Sequence, residues 1–284
     1  MANPLQTTEQ HLSSDVPLGI RLRLCHAYFQ HLAQKHDIDL LHIKGYAFEG
    51  DVYRKGRVSS DVDVLVRPQH VDRLLTVMKD DGWSILAHFE TGSVFQHAMT
   101  LYHSSWGLVD IHRYFPGIGS AEGEAFDRLW EHRRERLIAG VPCLVPSLVD
   151  CQIFVIVHSA RSADQHVPDV EFLESTVSEE QWHTMRNRVP ELGAELGFAA
   201  AMGELEQFKD HPDYLIWKSV SQNVPVYLLW KARFQQAQGV RAKLAFIANL
   251  IRVNRDHLAM ELGHSPSQRE IRQKFFSRFL FWKK

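Results

Sequence analysis

The stretch RVSSDVDVLVRP, Arg57 to Pro68, decides how this chain folds. Val62, Val64 and Val66 alternate with Asp61, Asp63 and Leu65, which is the period of a β-strand with one face turned to a core. Aspartate is depleted in strands, because it packs poorly there and competes for backbone hydrogen bonds. Two of them at i and i+2 project from the same face, with Cβ atoms about 6 to 7 Å apart. Carboxylates that close repel unless a positive charge lies between them. Pro68 then closes the strand and opens a helix, PQHVDRLLTVMKDDG, with Leu74, Leu75 and Met78 on one side and Gly82 at its end.

Working outward, PLGIRLRLCHAYFQHLAQKHD from Pro17 reads as an amphipathic helix. LLHI follows as a short strand, then Lys44-Gly45, then a short helix from Tyr46. Beyond the first helix pair, WSILAHF, VFQHAMTLYH and LVDIHRYF read as three further strands, with SSWG as a turn. The texture changes after VPCLVPS, residues 141–147, where two prolines precede a capping Ser147 with Asp150 three residues on. From there SEEQWHTMRNRV, ELGAELGFAAAMGELEQF, VYLLWKARFQQAQ and VRAKLAFIANLIRVNRDHLAMEL all read as helices. The aromatic, basic tail FFSRFLFWKK is expected to pack as a last helix, and the first dozen polar residues to be frayed. The expected fold is therefore α+β, a small mixed sheet with flanking helices over 1–146, followed by an α-helical domain over 147–284.

The chain has 284 residues and 45% hydrophobic content, enough for a sizeable core. A net charge of -2 gives no basic nucleic-acid footprint, which argues against a general RNA enzyme. Cys25, Cys143 and Cys151 are odd in number and widely spaced, so neither a disulfide framework nor a zinc site follows, and a reducing cytoplasm is the expected setting. The N-terminus lacks the pattern of a signal peptide, and no run approaches the roughly 18 apolar residues of a membrane span.

The chemistry gathers around the acids. Asp110 in LVDIH sits in a second apolar strand, with Val109 and Ile111 facing away. Set beside the first strand, it joins Asp61 and Asp63 on one face, and His112 shares that face. Three hard carboxylates suit Mg²⁺, and two ions can clamp both oxygens of a phosphoryl or nucleotidyl transfer. Lys44 and Gly45, between a strand and a helix start, suit a phosphate cradle. Arg57, four residues before Asp61, is expected to touch phosphate or lock its loop.

In this order the pieces resemble the polymerase-β-type nucleotidyltransferase superfamily, and within it a bacterial family described as uncharacterised nucleotidyltransferases. The resemblance covers about Leu40 to Tyr114 through Lys44-Gly45, Arg57, the D-V-D-V-L-V run and Asp110-Ile111-His112. A weaker likeness in HSARSADQHVPDVEFL points to His158, Arg161 and Asp169. Of these, the helix reads His158 as a core histidine and Asp169 as a helix N-cap or a substrate ligand, while Arg161 is a candidate triphosphate contact. Tyr46 stands where most of the superfamily has a serine that holds donor phosphate.

The resemblance implies transfer of a nucleoside monophosphate from a nucleoside triphosphate, ATP being the expected donor, to an acceptor hydroxyl, with release of pyrophosphate. Asp61, Asp63 and Asp110 would hold two Mg²⁺ ions, and Lys44, Gly45, Arg57 and Arg161 would meet the donor. A small molecule or a peptide or protein is the favoured acceptor, ahead of RNA. The alternatives are a non-catalytic nucleotide- or partner-binding module on the same fold and, more remotely, a metal-dependent hydrolase.

Overall fold

The computed structural model describes residues 16–222, except 51, 93–94, 120–122 and 162, then isolated positions as far as 262 and the segment 266–280. The first dozen residues, most of the segments 226–238 and 240–262, and the last four residues of the tail fall outside the described residues.

Helix α1 (Leu18–Lys35) leads into β1 (Leu40–Ile43), a 3₁₀ turn at Gly45–Ala47, and β2 (Asp61–Val66). Helix α2 (Val71–Asp80) follows a 3₁₀ turn begun by Pro68, then β3 (Ser84–Ala87), a single turn α3 (Phe89–Gly92), β4 (Ala98–His103) and β5 (Gly107–His112). The five strands form one sheet in the order β1-β2-β5-β4-β3. All neighbours are antiparallel except β2 and β5, which run parallel at the centre.

The strand holds its two aspartates because the opposite face outweighs them. Val62, Val64 and Val66 are fully buried, as are Val109 and Ile111 beside them. Each buried valine contributes about 1.5–3 kcal/mol, against a strand-propensity range of about 1 kcal/mol. These residues pack on Leu22, Cys25 and Phe29 of α1 and on Leu74 and Met78 of α2. The other face of the sheet offers Leu41, Ile43 and Leu65 to a second core, which includes Phe115 and the helices that follow.

Between sheet and helices lie α4 (Glu124–Glu131) and a two-stranded hairpin, β6 (Arg134–Ile138) and β7 (Val141–Val145). The segment 141–147, read as the boundary between the two halves, is largely strand: Pro142 lies inside β7 opposite Leu137. A two-stranded ribbon leaves each strand one free edge, where a missing N–H costs little. The hairpin is tied back to α1, since Leu144 N–H donates to Gln30 Oε1 at 3.0 Å.

Helix α5 (Leu148–Ser159) opens the helical segment. Ser147 caps it, its Oγ accepting from Asp150 N–H at 3.1 Å. The Asp150 carboxylate does not reach back to the cap; it is fully buried and held by Arg188 at 2.8 Å. Helix α5 is buried nearly all round, as its IFVIV run requires. Around it lie α6 (Ala163–Thr176), α7 (Glu179–Glu191), α8 (Glu195–Ala201) and α9 (Tyr214–Ser221). Gly203 and a 3₁₀ turn at Leu205–Phe208 interrupt the stretch that reads as one helix from 191 to 208. Trp217 is core, as its helical spacing suggests. The final described element, α10, spans Gln268–Leu280. Among the described residues no helix is long and apolar enough to cross a membrane.

Candidate functional site

The parallel pairing of β2 and β5 builds the site. Its register sets Asp63 opposite Asp110, and Leu65 opposite His112. Asp63, Asp110 and His112 each offer one ligand atom, all within 4.8 Å of one another. Asp61 lies two residues ahead of Asp63 on the same face, more exposed and outside that 4.8 Å group. Two donors orient the acids. His112 Nε2–H donates to Asp63 Oδ1 at 2.8 Å, and Thr100 Oγ1–H, in register on β4, donates to Asp110 Oδ1 at 2.6 Å.

Burial and mutual repulsion raise the acids. Burial, then the Asp63 charge, pushes Asp110 from 3.8 up to about 7, against the opposing pull of Lys44. The same two causes push Asp61 up to about 6. The His112 imidazole is held well below its ordinary range by burial and by the Lys44 and Arg161 charges, so it is neutral. A set of buried oxygen donors whose protons are displaced only with difficulty is relieved by a cation, and oxygen donors suit a hard divalent ion. The residues therefore fit Mg²⁺.

The cations close in from two sides. Lys44, at φ 54°, and Gly45, at φ 45°, form a left-handed turn after β1. A Cβ on Gly45 would stand 2.6 Å from Ser59 Oγ and on a positive φ, so any other residue strains the turn. The turn delivers Lys44 Nζ to Asp63 Oδ1 at 2.6 Å. Tyr46 does not take the place of a phosphate-binding serine. Its buried ring belongs to the core under α1, with the Arg23 guanidinium 3.9 Å above it.

Arg161, just after α5, comes to the acids from the helical side. No carboxylate pairs with it within salt-bridge distance among the described residues, and its Nε is buried with no hydrogen-bond partner. Its Nη1 donates to His97 Nε2 at 3.3 Å, and its guanidinium lies 4.6 Å from the Phe115 ring centroid. Burial lowers its pKa to about 10, against the pull of Asp63. A buried, still-charged guanidinium beside an acid cluster is an arrangement that favours an anionic ligand.

Arg57 is tied to the helical segment, where its Nε donates to Asp169 Oδ2 at 2.9 Å, and its charge still acts on Asp61. Asp169 lies inside α6 and not at its cap, which corrects the N-cap expectation. Pro168 is a residue of the same helix. His158 is only half-buried, its ring 6.1 Å from that of Phe115. Thr100, His97 and Tyr53 escape sequence reasoning. Their relation to the acids exists only after β4 pairs with β5 and the loop before β2 folds back.

Compared with known proteins, residues 25–208 match the sequence model of a family described as uncharacterised nucleotidyltransferase. No curated protein matches. Among solved structures the chain is similar to a lincosamide antibiotic adenylyltransferase with lincomycin bound, at 16% identity and TM-score 0.32, covering 58% of this chain and 94% of that one. It is also similar to the antibiotic-resistance factor ANT(2″)-Ia in solution, at 15% identity and TM-score 0.41, covering 67% and 97%.

Proposed function

The chain belongs to the uncharacterised nucleotidyltransferase family, and from that premise we propose that it moves a nucleoside monophosphate from ATP to an acceptor hydroxyl, releasing pyrophosphate. The favoured acceptor is a small molecule or a peptide or protein side chain. Residues 1–146 would carry the chemistry and residues 147–284 would select the acceptor. Three buried cysteines, none of them in a disulfide, support a reducing, cytoplasmic setting.

One observation carries the reading: Asp63 and Asp110 face each other across parallel strands, Asp61 projects from the same face, and basic groups converge on them from both halves of the chain. Asp61 and Asp63 would hold two Mg²⁺ ions, with Asp110 completing the set nearer the acceptor. Bound there, the ions would neutralise charge on the attacking and leaving oxygens. His112 and Thr100 fix the carboxylates of Asp63 and Asp110, so little reorganisation accompanies the reaction. Lys44 and Arg161 meet the triphosphate, and Arg57 meets it from the loop before β2. Gly45 lets the backbone of the turn approach it closely. Catalysis then rests on positioning and charge.

The test is label transfer from α-phosphate-labelled ATP to a panel of amino-alcohol, sugar and protein acceptors, with Mg²⁺ present. Labelled product and pyrophosphate in equal amounts, both lost in a folded Asp63→Asn variant, support the proposal. Product formed at the wild-type rate by Asp63→Asn would sink it.

A further inference from the structure

One acid in the helical segment is spent on an arginine of the opposite half. Asp169, on α6, is 4% exposed. Its Oδ2 accepts from Arg57 Nε at 2.9 Å, and Arg54 Nε approaches its Oδ1 at 4.0 Å. The Arg57 guanidinium also lies 3.9 Å from the centroid of the buried Tyr53 ring. The fork is thus gripped at its Nε end by an acid and on one face by an aromatic ring.

That grip leaves most of the guanidinium unused. Arginine carries five N–H donors in a rigid plane, and Asp169 takes the one on Nε. The donors on Nη1 and Nη2 have no hydrogen-bond partner among the described residues. The group also lies within the field of the acid face, because its charge is one of those that draw the raised Asp61 carboxyl back down. Two planar Nη groups, held at a fixed angle beside carboxylates, match the spaced oxygens of a phosphate. A bond made through Nε alone is the attachment that keeps them available.

We propose that Asp169 is a positioning residue for the donor triphosphate: it anchors Arg57 by Nε, with Tyr53 as the backing plate, so that both Nη groups are presented to phosphate oxygens. This rests on the reading of Arg57 as a phosphate ligand. It gives the helical half a part in donor binding without contact to the donor. It also separates Asp169 from a simple staple between segments, which would affect stability and not phosphate affinity.

The test is calorimetric titration of the full chain with MgATP, inorganic tripolyphosphate and AMP, using wild type, Arg57→Ala, Asp169→Ala, Asp169→Asn and Arg57→Ala/Asp169→Ala. Asp169→Ala is expected to weaken MgATP and tripolyphosphate about tenfold, the scale of one charge-assisted hydrogen bond, and to leave AMP unchanged. Asp169→Asn, which keeps an oxygen acceptor for Nε, recovers part of the loss and carries the test if the alanine variant does not fold. In the Arg57→Ala background the second substitution adds nothing. Unchanged or tighter MgATP binding by the Asp169 variants overturns the proposal, as do losses that multiply in the double variant. If wild type binds MgATP and Arg57→Ala binds it equally well, the phosphate role of Arg57 itself has failed and the proposal falls with it. An effect of Arg57→Ala without any effect at Asp169 leaves that role standing and refutes only the positioning claim.

Discussion

Asp110→Asn should make the metal-free protein more stable at alkaline pH. Burial, then Asp63, raises the Asp110 carboxyl from 3.8 to about 7, so the folded state favours its protonated form. A group whose pKa rises on folding contributes stability that is complete below the unfolded value and lost as pH climbs through the folded one. At pH 8 the wild type therefore bears the whole cost of the buried charge. A gap of about three pH units corresponds to a ceiling of about 4 kcal/mol. The side chain keeps partial exposure, so solvent screening brings the working value to about 1–3 kcal/mol. Asparagine removes the charge and retains an oxygen to accept from Thr100 Oγ1–H. Thermal unfolding in EDTA should show the variant melting higher at pH 8 by about 2–12 °C, from about 2–4 °C per kcal/mol for a domain of about 150–250 residues. At pH 4 the difference should close. Excess Mg²⁺ at pH 8 should raise the wild-type Tm and leave the variant's nearly unmoved. A variant that melts at or below wild type at pH 8, or a gain that is the same at pH 4, would refute the reasoning.

Two further outcomes follow from other buried groups. His26 and His42 meet through their Nδ1 atoms at 3.0 Å in the core between α1 and the sheet, and their Nε2 atoms have no partner. Burial lowers His26 to about 4 and His42 well below its ordinary value, so stability present above about pH 6.5 is lost as pH falls through the folded values. A His26→Leu/His42→Leu variant should show a shallower loss of Tm between pH 7 and pH 4.5; an unchanged slope would contradict this. Gly45→Ala should cost about 1–3 kcal/mol in urea unfolding, because its positive φ and the 2.6 Å approach to Ser59 Oγ both oppose a side chain; a neutral effect would show that the turn relaxes.

What the chain reveals in advance follows from how local each signal is. Strand β2 and the paired projection of Asp61 and Asp63 are written in a two-residue alternation, and the same holds for Asp110 in β5. The capping Ser147 and the amphipathic α1 and α2 are local as well. The hairpin over 134–145 is concealed by Pro142 within it and Pro146 just after it, which mark a boundary unless an edge strand is known to be available. The direct meeting of Asp63 and Asp110 depends on the parallel register of β2 and β5, a long-range pairing. The same limit hides the link from Arg57 to Asp169, since Asp169 reads locally as a cap beside Pro168. Tyr46 shows the reverse case. Its identity suggests an altered phosphate site, but the turn at Lys44-Gly45 sends its ring into the other core.

The central claim is that the acid face binds a nucleoside triphosphate through a divalent ion. Titrating each nucleoside triphosphate into wild type and Asp61→Asn/Asp63→Asn, with and without Mg²⁺, tests it most directly. Binding that requires Mg²⁺ and disappears in the folded variant is the predicted result. Binding of equal strength without Mg²⁺ or in the variant, or no binding of any triphosphate, would contradict it.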